Sequence, residues 1–140
     1  MGFYPGKFPQ VVDLAGGLKL GGTAVTSSAA ELNLADNGYQ LLVADGAITV
    51  KNGVCVIAKT VAGAVAATLA DPTTGTDDFK RLTIISGQAQ ANTVTSASSF
   101  GGGGAGEDVA TFSGQIGDTL NLLAYGGKWY ITGVHQCTIA

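Results

Sequence analysis

The sequence predicts a mainly β fold, built as two packed sheets or a compact β-barrel, with an extended N-terminal arm in front and one short helix. Three observations predict it. From Tyr39 onward apolar and polar residues alternate with a period of two, the spacing that sends successive side chains to opposite faces of a strand. Turn residues such as Asp45-Gly46, Asn52-Gly53, Asp71-Pro72 and Gly126-Gly127 cut that stretch into short segments. The spacing of βαβ units is absent, which argues against a doubly wound parallel sheet.

Residues 1–22 read as the arm. Pro5 and Pro9 bias the residues before them away from helix, Gly6, Gly16, Gly17, Gly21 and Gly22 loosen the backbone, and Phe3, Tyr4 and Phe8 offer anchor groups for a neighbour or, alternatively, for the chain's own domain. Residues 23–140 are long enough to form a single β domain with its own core. Within it, Ser28 followed three residues later by Glu31 is a capping box, and Asn37-Gly38 is a stop signal. Together they predict a helix near 29–36, held by packing through Leu32 and Leu34 or Ala35 because two turns do not persist alone.

Strands are predicted near Tyr39–Val43, Ala47–Val50, Val54–Thr60, Ala62–Leu69, Arg81–Ser86, Asn92–Ser96, Asp108–Ser113, Thr119–Tyr125, Lys128–Thr132 and Val134–Ile139. Asp45-Gly46 and Asn52-Gly53 suit tight hairpins, Asp71 to Gly75 suits a longer corner, and Gly126-Gly127 suits a two-residue hairpin. In that last hairpin Leu120, Leu122, Ala124 and Trp129 fall on one face, and Asn121, Leu123, Tyr125 and Tyr130 on the other. The run Gly101 to Gly104 is a flexible loop, ordered only if something outside it supplies contacts.

Composition narrows the function classes. Hydrophobic types make up 46% of the chain and charged types only 12%, so a partner can cover much of the exterior without stripping water from charges. Seven Lys and Arg stand against ten Asp and Glu, and the largest basic cluster is the pair Lys80-Arg81. Counterion release from a phosphate backbone has little to work with, and no nucleic-acid partner is expected. The stretch Val61 to Ala70 is too short to span a membrane, the first ten residues lack the pattern of a signal peptide, and Gly6 stands where myristoylation expects Ser or Thr.

The search for chemistry finds little. Cys55 and Cys137 read as buried thiols acting as small hydrophobes; a disulfide would close a long loop, and metal ligation lacks a second cysteine at close spacing. His135 is the sole histidine, and on one strand it would share a face with Cys137, yet nothing supplies an orienting group or an oxyanion donor. Asp77 and Asp78 read as a polar corner before Phe79. Glu107, Asp108 and Asp118 read as solvated turn acids without the spacing of a calcium loop. Tyr125, Trp129 and Tyr130 read as core or interface packing, with a carbohydrate-stacking platform as the alternative. No catalytic, cofactor-binding or metal-binding residue is assigned, and the chain is expected not to be an enzyme.

The phrase Val25-Thr26-Ser27-Ser28-Ala29-Ala30-Glu31-Leu32-Asn33 resembles the TAAELN segment that recurs in tailed-phage virion proteins, including decoration proteins and fibres. Leu82 to Gly87, Val94-Thr95, Phe100 to Gly104, Asp108 to Phe112 and Gly126 to Tyr130 are similar to segments of phage structural proteins of this size. The nearest likeness is to tailed-bacteriophage capsid decoration, or cement, proteins. That resemblance implies a jelly-roll-like sandwich that self-associates, as a homodimer or alternatively a trimer. It also implies that the chain binds the phage major capsid protein on the outer surface of the head, in a virion assembled in the host cytoplasm. A tail-fibre, head-fibre or tailspike-associated module is the alternative; the run Leu34-Ala35-Asp36-Asn37-Gly38 departs from the Leu-Asp-Gly of fibre patterns.

Overall fold

The computed structural model describes residues 19–20, 23–24, 38–49, 51–101 and 106–140. The helix expected near 29–36 and nearly all of the arm 1–22 lie outside the described residues, and among those described there is no helix. The chain divides into two units, Met1–Asn33 and Leu34–Ala140. In the first, β1 (Lys19–Leu20) pairs antiparallel with β2 (Thr23–Ala24).

The second unit holds ten strands: β3 (Tyr39–Leu42), β4 (Gly46–Ile48), β5 (Gly53–Ile57), β6 (Ala66–Leu69), β7 (Arg81–Ser86), β8 (Thr93–Ser96), β9 (Val109–Phe112), β10 (Thr119–Tyr125), β11 (Lys128–His135) and β12 (Cys137–Ile139). Nine of the ten sequence-predicted strands have a counterpart, with Val54–Thr60 and Ala62–Leu69 shortened, because alternation reports burial of one face and that face is buried here; the tenth, Val134–Ile139, is divided between the end of β11 and β12. They form two mixed sheets, one ordered β11-β10-β7-β5-β3 and the other β12-β9-β8-β6-β4.

The order corrects two turn predictions. Asp45-Gly46 and Asn52-Gly53 do not close hairpins, since each carries the chain from one sheet to the other. Three successive two-strand coils result, β3-β4, β5-β6 and β7-β8, with β3, β5 and β7 parallel in one sheet and β4, β6 and β8 parallel in the other. A turn dipeptide sets how sharply the backbone bends; it does not choose which sheet the next strand joins. Gly53 has a second reason to be glycine, because a Cβ there would lie 1.6 Å from the Gly38 carbonyl oxygen, which accepts the Val54 N–H at 2.7 Å.

Antiparallel strands complete both sheets. β10 pairs with β7 and β11, while β9 pairs with β8 and β12. The Gly126-Gly127 hairpin forms as expected, with Tyr125 opposite Lys128 and positive φ at both glycines, the signature of a type I′ turn. A register shift opposite Asn121 and Leu122 lets β11 absorb an extra residue and run on through Gly133 to His135, past the end expected at Thr132.

Inward side chains of both sheets meet in one core, with Trp129, Phe100, Phe112, Ile57, Leu82 and Leu120 among its fully buried members. The Trp129 indole N–H donates to the Ala70 carbonyl at 3.0 Å, so its one polar atom is satisfied inside. At one end of the coils buried Asn92 ties the loops together: its Oδ1 accepts from Val65 N–H and from the Gln88 amide, and its Nδ2 donates to Ser86 Oγ. At the other end, where β6 leads into β7, buried Asp77 plays the corresponding part.

Candidate functional site

The outward faces of the two sheets differ. On the second sheet the register aligns Ala66, Thr93, Thr111 and Thr138 across four strands, with Thr68 and Thr95 beside them. A shallow depression of about 340 Å³ between Ala47, Thr68, Thr95 and Ala97 has no charged side chain in its lining, and its polar groups are the hydroxyls of Thr68, Thr95 and Ser96. Such a face is small, polar at the hydroxyl level and already content in water.

The first sheet presents larger apolar groups. One row runs Leu41, Val56, Ile85, Thr119 and His135, and the next runs Tyr39, Val54, Thr83, Asn121 and Gly133. Tyr39 is 61% exposed and Leu41 58%, and across β3, β5 and β7 these two rows contain no charged residue. Gln40, between them, turns away and bonds to β4: its amide donates to the Ala47 carbonyl and its oxygen accepts the Thr49 N–H at 2.7 Å. That side chain therefore satisfies part of the outer edge of β4, while β3 ends its own sheet among the described residues.

A third row lies where β7 begins and β10 ends. Here Leu123 stands between Arg81 and Tyr130, and Tyr125 stands opposite Lys128. Phe79 completes this corner, 72% exposed, its ring 5.5 Å from that of Tyr125 and its N–H donating to the Ala124 carbonyl at 2.7 Å. The corner is fixed from beneath. Asp77 accepts from Lys51 Nζ and Lys80 Nζ, each at 2.8 Å, and from the Thr73 N–H at 2.7 Å. The bond from Lys51, then those from Lys80 and Thr73, hold its carboxyl far below the usual carboxylate range. Asp78 accepts the Gly126 N–H at 2.8 Å and so ties the corner to the hairpin tip.

The two groups weighed as a dyad, His135 and Cys137, do not assemble. His135 ends β11 in the first sheet and Cys137 begins β12 in the second, because Gln136, with φ of 48°, turns the chain between them. The face shared by His135 and Cys137 on a single strand is thereby overturned. Both thiols are free; burial pushes Cys55 up to about 11, and burial followed by the Asp118 charge pushes Cys137 up to about 11, so neither is a thiolate near neutral pH. Cys55 is buried as expected, whereas Cys137 is only half-buried.

Asp118 departs from the solvated turn acid expected of it. It is buried, and although loss of solvent opposes its charge, the Gln115 N–H, Ser113 hydroxyl and Gly114 N–H outweigh that and lower its pKa. Those three groups all bond to Oδ2, and Oδ1 has no hydrogen-bond partner among the described residues. Glu107 is exposed and Asp108 half-buried; among the described residues no three His, Cys, Asp or Glu side chains converge on a point that would hold a metal ion.

The three aromatic residues of the hairpin separate. Trp129 enters the core, while Tyr125 and Tyr130 face out. Tyr130 lies over Gly101, where a Cβ would come within 2.6 Å of the ring, so the first glycine of the loop run is required by packing; Gly102 to Gly104 lie outside the described residues. Two contributors to the corner went unread in the sequence: Phe79, and Lys51 as a partner of Asp77. Phe79 had one signal, a large apolar residue directly after two aspartates in a stretch otherwise polar. Among the described residues no helix is long and apolar enough to cross a membrane. No model of a known protein family matches the chain, and no curated protein matches it in sequence.

Proposed function

We propose that the chain is a structural virion protein, not an enzyme, which binds the outer surface of a phage head and cements neighbouring major capsid proteins. The observation that carries this reading is the uncharged apolar face formed by Tyr39, Leu41, Val54, Val56 and Ile85. Covering it removes apolar area from water without desolvating a charge. Repetition by symmetry then lets a modest contact stiffen a whole shell. Self-association as a homodimer, with a trimer as the alternative, belongs to the same proposal, as do the capsid exterior as location and assembly in the host cytoplasm. The resemblance of the Val25 to Asn33 phrase to virion proteins points the same way.

For the fold, the single core shared by two sheets supports a sandwich over a closed barrel. A jelly roll pairs its strands antiparallel. The parallel pairs here make the sandwich a short stack of coils with antiparallel strands added at one side, which departs from jelly-roll order. That stacking favours a second reading, a tail-fibre, head-fibre or tailspike-associated module, because parallel coils extend along an axis.

Co-sedimentation with tail-less heads of the phage encoding the chain tests the first reading. The native chain is expected to pellet with heads, and Leu41→Asp to stay in solution with unchanged melting. Recovery of the native chain only with tail fractions would overturn cementing in favour of the fibre reading.

A further inference from the structure

The corner over β7, β10 and β11 presents an array unlike the rest of the surface. Arg81, Leu123 and Tyr130 form one row, and Phe79, Tyr125 and Lys128 the next. Strand geometry makes this patch about 10 Å by 7 Å, with its two cations at diagonally opposite corners. Three of the six groups are aromatic, and all three rings are exposed.

The array is rigid. Phe79 is held at φ of 67°, a conformation that a bulky residue adopts only where its surroundings impose it, and such strain is concentrated at working positions. The two ion pairs of Asp77 and the Asp78 to Gly126 bond impose it here. Tyr130 is fixed in turn by its seat on Gly101.

Charge is gathered at the same place. Of the Lys and Arg residues of Leu34–Ala140, Lys51, Lys80, Arg81 and Lys128 stand at this end, and Lys59 is the exception. Lys51 and Lys80 share Asp77, whereas Arg81 and Lys128 are exposed and make no ion pair among the described residues. Asp78, half-buried, accepts the Gly126 N–H at the hairpin. The corner is net positive in a chain of net charge -3.

We propose that this corner binds an acidic glycan, a chain containing hexuronic acid units. The C–H face of a sugar ring stacks on Phe79, Tyr125 and Tyr130, and its carboxylates meet Arg81 and Lys128, the guanidinium offering a paired donor geometry. The patch matches the footprint of two pyranose rings. A single-stranded nucleic acid also combines rings with negative charge, but two free cations supply little counterion release. The inference is independent of cementing, since it uses the opposite end of the face from Tyr39 and Leu41.

Titration calorimetry on the full chain tests it, with tetrasaccharides of galacturonate, mannuronate and glucuronate as probes, and cellotetraose and oligo-dT as comparisons. At least one acidic tetrasaccharide is expected to bind, more weakly as salt is raised. Phe79→Gly and the double variant Arg81→Gln/Lys128→Gln should each weaken it by about tenfold or more, with melting no lower than that of the native chain. Absence of binding by all three acidic probes, equal binding of cellotetraose or oligo-dT, or indifference to both variants would overturn the proposal.

Discussion

The two ends of the first sheet's outer face are built in opposite ways. Over β3, β5 and β7 the strands are parallel, the side chains uncharged and mostly aliphatic, and the fit depends on backbone meeting backbone at Gly38 and Gly53. Over β7, β10 and β11 the strands are antiparallel, and a buried carboxylate, two ammonium groups and a strained phenylalanine fix the surface. The first end is a plain apolar wall, suited to contact by area. The second spends conformational strain and charge to present particular groups, which suits recognition of a chemical class.

The largest expected effect lies at the aliphatic end. Gly53→Ala combines φ of 130° with a Cβ 1.6 Å from the Gly38 oxygen, a backbone clash no rotamer relieves. It should cost about 4 kcal/mol or more in urea denaturation. Hydrogen exchange should show β3 losing protection first while β10 and β11 keep theirs. A loss below about 1 kcal/mol would mean the close approach is not needed.

Acid should act on the other end. Because Lys51, Lys80 and Thr73 lower the folded pKa of Asp77 below its unfolded value, its contribution is present in full above about pH 4 and fades as the pH falls further. The stability difference between the native chain and Asp77→Asn should therefore be flat near neutrality and shrink below about pH 4. A difference that stays constant down to pH 2 would remove the ion pairs from the account.

Smaller still, and opposite in sign, is Phe79→Gly. Releasing a left-handed phenylalanine that buries little should raise stability by about 1 kcal/mol. A fall in the melting temperature would show that the Phe79 ring supports the fold and is not merely displayed. Leu41→Asp should move stability by less than about 0.5 kcal/mol, since its side chain is mostly in water already.

These elements were not equally legible in the sequence. Strands β7 and β10 are readable to the residue, because turn residues bound each and Leu82 with Ile84, and Leu120 with Leu122 and Ala124, recur at every second position toward the core, although outward Ile85 and Leu123 and inward Ser86 break the apolar-polar pattern. The Gly126-Gly127 hairpin is readable because two adjacent positive φ values leave few other residues able to sit there. Parallel stacking is not readable, since Asp45-Gly46 and Asn52-Gly53 bend a chain equally well into a hairpin or across to a second sheet. The aromatic corner is half readable: Tyr125 and Tyr130 declare their outward face, but Lys51 reaches Asp77 across 26 residues and no local pattern encodes that. His135 and Cys137 mislead because a spacing of two implies one face only while the strand continues, and Gln136 ends it.

Electron cryomicroscopy of heads carrying the bound protein tests the central claim most directly. Tyr39, Leu41, Val56 and Ile85 are expected against the shell, with the threonine rows of the second sheet turned to solvent. Heads that hold the protein by Thr68, Thr95, Thr111 and Thr138, with Leu41 left in water, would contradict it.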